Sequence, residues 1–216
     1  MKDCALIDFD NTLTSRDTTR FLIFELIKLN PLKLIKASGY IILICITNDQ
    51  NKIQIYKNLL IGYLISGFTD EDLKQTLKKF RIRVNNLLRP FLVEKIKHYH
   101  SKNILVLVIT ASPTFAVKAC LTDLPIHVIG ADYKKELERY NSKNLYISCY
   151  GEDKVTRIIE WQKKNNEELN FIDSWSDSFS DYPMCILAKN RFWIGDNKLK
   201  KKMESNDPDA SFIRAN

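Results

Sequence analysis

Two hydrophobic rhythms alternate along the chain. Short runs rich in Ile, Leu and Val lie at residues 4–7, 104–109, 126–129, 145–149, 170–172 and 191–194, each with the length of a strand. The run at 104–109 has no polar interruption, as a central parallel strand buried on both faces requires. Between the first two runs the pattern is helical throughout. Pro31 splits an apolar stretch into halves at 21–29 and 32–46, and a further helix spans 52–66 before Ser66-Gly67. Thr69 is a fitting N-cap, after which Leu73, Leu77, Phe80, Val84 and Leu87 recur at alternating spacings of four and three. Further helices at 90–100, from Pro113 to about 121, and at 153–164 separate the later strands. This alternation predicts an α/β fold of three layers, a parallel sheet between helices. Residues 15–88 form an all-helical insertion between 1–14 and 89–216. The last ten residues, with Asp207-Pro208, are expected to fray.

The halves at 21–29 and 32–46 carry more apolar surface than a small surface helix needs. Neither reaches the roughly 20 apolar residues that span a bilayer. They read as two helices buried against each other or, alternatively, as a hairpin resting in a membrane surface through residues 21–46.

Composition adds little that is specific. The 216 residues are 45% hydrophobic, enough for a sizeable core, and the net charge of +7 is modest. The only dense basic cluster, Lys198 to Lys202, is not interleaved with aromatics, so it reads as a solvated face and no nucleic-acid partner is expected. Five cysteines without a C-x-x-C pair argue for reduced thiols in a cytoplasm. A strand pattern starting within a few residues of Met1 leaves no room for a cleavable leader. His98, His100 and His127 sit near no motif and read as surface or structural residues.

The chemistry begins where the first strand stops. Asp8 and Asp10 are two apart, so on an extended chain both point to one side at the carboxyl end of a strand, where open α/β sheets hold ligands. Two carboxylates about 4 Å apart repel by roughly 4 kcal/mol at an effective dielectric near 20. A hard cation or a shared proton must relieve that repulsion. Thr110 ends the central strand, Lys154 places an ammonium at a helix start against the helix dipole, and Asp177 and Asp181 follow a later strand four apart. Each has a dull reading singly; in this order on a βα frame they point together to phosphoryl chemistry.

The stretches Asp8-Phe9-Asp10-Asn11-Thr12-Leu13-Thr14, Val108-Ile109-Thr110-Ala111-Ser112-Pro113, Gly151-Glu152-Asp153-Lys154 and Trp175 through Pro183 resemble the motifs of the haloacid dehalogenase-like phosphohydrolases. The resemblance is to the phosphoserine-phosphatase-like subclass, with a helical cap between its first and second motifs. It implies a Rossmann-like core with residues 15–88 as cap and a Mg²⁺-dependent phosphomonoesterase. Asp8 would be the nucleophile that forms an aspartyl-phosphate, and Asp10 the general acid/base. Asn11, Thr110, Ala111 and Lys154 would bind the phosphate. Mg²⁺ would be held by the Asp8 side chain, the Asp10 carbonyl and Asp177, with Asp181 in support. Arg16 and Asp17 would meet substrate from the cap side; phosphoserine phosphatases carry a substrate-binding glutamate at the position of Asp17. Asn11 stands where the family usually has Gly or Ser. The apolar cap is more similar to the phosphatidylglycerophosphatase C type, which implies a lipid phosphate as substrate in place of a small phosphorylated metabolite. A catalytically idle, membrane- or protein-binding member is the competing expectation.

Overall fold

The computed structural model describes residues 1–141 and 146–215. Strand β1 (Lys2–Ile7) is followed by a tight turn and helices α1 (Thr19–Leu29), α2 (Leu34–Ile46), α3 (Gln50–Ile65), α4 (Asp70–Asn85) and α5 (Pro90–Ser101). After β2 (Leu105–Pro113) come α6 (Thr114–Cys120), β3 (His127–Tyr133) and a two-stranded hairpin of β4 (Lys135–Glu136) and β5 (Arg139–Tyr140). The chain continues with β6 (Tyr146–Ile147), α7 (Asp153–Asn165), β7 (Leu169–Ser176), α8 (Tyr182–Cys185), β8 (Asn190–Gly195), α9 (Asn197–Asn206) and β9 (Ser211–Arg214).

Seven strands form one sheet in the order β6-β3-β2-β1-β7-β8-β9, parallel except for the β3–β6 pair. The apolar runs explain the layering. In β1, Ala5 and Ile7 join a cluster with Leu92, Ile96 and Tyr99 of α5, whereas Cys4 and Leu6 join one with Ile158, Met184 and Trp193. Val106 and Val108 of β2 follow the first pair, Leu107 and Ile109 the second. Period-two alternation therefore feeds two cores, and helices cover both faces of the sheet. Connections leave β1 toward β2 on one side and are completed by β7 on the other, so the strand order reverses at β1. That crevice at the carboxyl end of β1 is where such sheets bind ligands.

Helices α1 to α4 are tied to the rest by polar contacts as well as apolar ones. Thr69 and Asp72 form a reciprocal cap at the start of α4. Lys33, in the short turn between α1 and α2, donates to the carbonyls of Tyr63, Leu64 and Ser66 and so caps the carboxyl end of α3. The β4–β5 hairpin turns through Leu137 and Glu138, both in the left-handed region, and Tyr140 pairs with the backbone of Gly67 and Phe68.

Four sequence expectations are corrected. β7 continues to Ser176, beyond the expected 170–172, because its polar members have partners: Asp173 accepts from Tyr99 and Asn190, and the Ser174 hydroxyl donates to the Cys185 carbonyl. β2 runs on to Pro113, paired with Ala131 of β3. The strand expected at 145–149 is the two-residue β6, antiparallel to Asp132 and Tyr133; Leu145 lies outside the described residues. The tail does not fray. Asp207, 3% exposed, accepts from Arg191 Nε at 2.8 Å and Trp193 Nε1 at 2.8 Å, and β9 then pairs with β8. The basic cluster Lys198–Lys202 lies on α9 with its lysines exposed, as expected of a solvated face.

Removing Asp207 leaves a buried indole N–H without its acceptor and a guanidinium without its carboxylate. Asp207→Ala is expected to lower the unfolding free energy by roughly 2–4 kcal/mol in a urea titration. A change within about 0.5 kcal/mol, the usual range for a surface position, would mean the tail does not contribute as described.

Candidate active site

Asp8 closes β1 and is 6% exposed. The chain then makes one wide turn, in which the Leu13 amide bonds the Asp8 carbonyl and the Thr14 amide the Phe9 carbonyl. That turn needs Asn11 at φ +60°, a conformation asparagine tolerates better than most residues other than glycine. The unusual Asn11 therefore keeps the turn that glycine would allow. Thr12, buried beneath the turn, donates to Asp177 Oδ1 at 3.2 Å.

Lys154 enters from the first turn of α7. Its Nζ lies 2.7 Å from Asp8 Oδ1 and 2.7 Å from Asp181 Oδ1, and its side chain is 2% exposed. Burial works against its charge, but the Asp181 and Asp8 carboxylates outweigh it and hold the ammonium above its ordinary pKa. The other oxygen of Asp181 accepts from the Ser176 hydroxyl at 2.7 Å, so this carboxylate is fully engaged. Asp8 is pushed well up by burial, with Asp181 and Asp177 adding to the rise and Lys154 opposing it.

Asp10 is held on the side of the helical insertion. Its Oδ1 accepts from the amide and hydroxyl of Thr18 at 2.6 and 2.7 Å, and its Oδ2 from the Ser112 hydroxyl at 2.5 Å. Burial raises its pKa, with the nearby charge of Asp17 adding to the rise. Thr110 is buried in the last part of β2, where its Oγ1 accepts from the Ser112 amide, and the Ala111 carbonyl accepts from Gln54 Nε2 of α3.

Asp8, Asp10, Asn11, Asp17, Thr110, Ala111, Lys154, Asp177 and Asp181 all line one cleft of about 290 Å³. Arg16 does not: it is exposed, and the Thr14 hydroxyl bonded to its carbonyl fixes the chain where it turns outward. Asp17 is in the cleft but occupied, its Oδ2 lying 2.7 Å from Lys57 Nζ. Sequence reading missed Gln50, Gln54 and Lys57, which line the cleft from α3. Their signal was a polar stripe at spacings of four and three on one helix face. Thr18 and Ser112, the partners of Asp10, carried no signal beyond their hydroxyls.

The donor set can be tested against a divalent cation. Five aspartates and two lysines line the cleft, an excess of negative charge at close range. Among the described residues no three carboxylate, imidazole or thiolate side chains form a metal cage. Asp10, Asp17 and Asp181 are committed to protein donors, which leaves Asp177 and the second oxygen of Asp8. Among the described residues Asp177 has Thr12 as its one side-chain donor, and burial, reinforced by Asp181, pushes it up to about 6. Two under-compensated carboxylates fit Mg²⁺, which is commonly bound through one or two carboxylates while keeping several waters.

Comparison with known proteins places this geometry. A protein of unknown function from Bordetella pertussis Tohama I is similar over 100% of both chains, at 17% identity and a TM-score of 0.77. A phospho-aspartyl intermediate analogue of phosphoserine phosphatase is 13% identical, with 100% of this chain and 94% of that one covered at a TM-score of 0.56. Cytosolic 5'-nucleotidase IIIB bound to cytidine is 14% identical, with 99% and 80% covered at a TM-score of 0.63. At these identities the likeness is one of fold. No curated protein matches the sequence. The model of the haloacid dehalogenase-like hydrolases matches residues 5–185, from the first strand past the last acidic motif, and the chain belongs to that family.

Proposed function

We propose that the protein is a Mg²⁺-dependent phosphomonoesterase that works through an aspartyl-phosphate on Asp8. The observation that carries this reading is Lys154 bound between Asp8 and Asp181 inside a cleft rich in carboxylates. Residues 15–88 act as a cap on a core made of 1–14 and 89–216.

In the first step the Asp8 carboxylate attacks phosphorus, the bond to the leaving oxygen breaks, and Asp10 gives that oxygen its proton. Burial and the Asp17 charge favour the protonated form of Asp10 that this requires. In the second step Asp10 takes a proton from water, the water oxygen bonds phosphorus, and the Asp8–phosphorus linkage breaks to release phosphate. Lys154 neutralises charge on the transferring group, and the Thr110 hydroxyl and the backbone of Asn11 and Ala111 orient its oxygens. Mg²⁺, held by Asp8, Asp177 and the Asp10 carbonyl with Asp181 in support, would supply further charge neutralisation when bound.

For the substrate, two readings differ in their support. An amino-acid phosphate would need Asp17 free for an ammonium, whereas Lys57 already fills that role. A lipid phosphate, as for the phosphatidylglycerophosphatase C type, is favoured by the exposed apolar surface of α2, which ends four residues before Gln50 at the cleft. Five free cysteines support a reducing compartment such as the cytoplasm.

Asp8→Asn is expected to abolish turnover of an aryl phosphate, by at least roughly 10³-fold, and Lys154→Met to cost roughly 10²–10³-fold. Circular dichroism checks that both variants fold; retained activity in folded Asp8→Asn would end the proposal. Activity on phosphatidylglycerophosphate should exceed that on phosphoserine, and the reverse order would remove the lipid reading.

Proton and metal compete for Asp177. Its folded pKa of about 6 lies above an unfolded value near 4, so the contribution of Asp177 to metal-free stability is full below about pH 4 and lost as pH rises through about 6. Calorimetric Mg²⁺ affinity should move the other way, strengthening up to about pH 6 and levelling above. Asp177→Asn should remove most of the binding; pH-independent affinity would contradict the assignment.

A further inference from the structure

Helix α2 reads Leu-Ile-Lys-Ala-Ser-Gly-Tyr-Ile-Ile-Leu-Ile-Cys-Ile, yet Ala37 is its only buried residue. A helix that apolar normally sits inside a core or against lipid. One side of it is used within the protein, with Tyr40, Ile41 and Ile44 packed against the main cluster. The other side presents Ile35 at 79% exposure, Ile42 at 58% and Ile46 at 70%, preceded by Leu32 at 84%. Spacings of seven and four put the three isoleucines on one stripe. On α1 the exposed Phe24 stands between Arg20 and Lys28, one helical turn away on either side, with Lys28 Nζ 4.1 Å from the ring centre.

An exposed apolar stripe of this kind marks a contact, and charge identifies its occupant. Between residues 19 and 46 the exposed Arg20, Lys28 and Lys36 face a single acid, Glu25, which is buried and paired with Lys28 and Arg83. A second copy of the chain across a twofold axis would bring this positive fringe against itself. An anionic lipid surface would attract it. No single described helix is long and apolar enough to cross a membrane, and the α1–α2 pair is bent by 114°. At about 20 Å, α2 is too short for a hydrocarbon core of about 30 Å and long enough to lie in its surface.

We propose that the outward stripe of α2, with Leu32 and the Phe24 fringe, docks the protein on an anionic bilayer surface. Ile46 lies four residues before Gln50 of the cleft wall, so docking would bring the cleft close to the membrane. That placement rests on the phosphatase reading above; docking itself does not.

The test is flotation of the full chain with phosphatidylcholine vesicles, with and without phosphatidylglycerol. The wild type should float with the anionic vesicles, less at high salt, and more weakly with neutral ones. The variant Ile35→Ser/Ile42→Ser/Ile46→Ser changes only exposed side chains and should lose at least roughly tenfold in vesicle partitioning while keeping aryl phosphate turnover. Absent flotation of the wild type overturns the proposal, as does a triple variant that floats undiminished. Self-association in ultracentrifugation without vesicle binding assigns the stripe to a second copy and overturns it too. A wild type that floats but hydrolyses nothing sustains docking and removes the phosphatase reading alone.

Discussion

An ammonium buried between two carboxylates constrains the whole molecule. Lys154 and its partners are almost wholly removed from water, and an ion group in that position is tolerated only when each charge is paired and hydrogen bonded. The two bonds at 2.7 Å fix three separate pieces of chain: the end of β1, the first turn of α7 and the short helical turn after β7. The sheet order puts β1 and β7 side by side, with a register shift between Cys4 and Ala5, so the two aspartates arrive as neighbours. Lys154 at a helix start, unfavourable for the dipole, is offset by that pair of acids.

Around this fixed centre the cleft divides by attachment. Asp8, Asp181 and Lys154 belong to the sheet side and hold one another, with Asp177 beside them held by Thr12. Asp10 faces the helical region, bonded to Thr18 just before α1 and to Ser112 near the carboxyl end of the central strand. Lys57 and Gln54 reach from α3 to Asp17 and Ala111. The helices thus complete the wall of the site through polar contacts, while their apolar surplus accumulates on the far side of α2.

What could be read from the residues followed from how much of each pattern lay in a few neighbouring positions. Residues 4–7 of β1 and the middle of β2 announce themselves because both faces are buried and every position there is apolar. The second half of β7 was hidden by Asp173, Ser174 and Ser176, whose partners Tyr99, Cys185 and Asp181 are distant or unpredictable in sequence. β9 was hidden in the same way, since Asp207 looks like a turn residue until Arg191 and Trp193 are placed against it. In the site, Asp8, Asp10, Lys154, Asp177 and Asp181 carried type and order enough to be grouped, and one cleft contains them. Lys57 could not be grouped, because a lysine on a helix has a solvated reading by default; Arg16 was grouped through the family resemblance and is exposed outside the cleft.

The most direct test of the convergence on Asp8 is a rapid acid quench with an aryl phosphate carrying labelled phosphorus, followed by peptide mapping. The account predicts label on the peptide containing Asp8, released by alkali as an acyl phosphate should be and missing from Asp8→Asn. Hydrolysis that proceeds with no protein-bound label, or with label on another peptide, would contradict it.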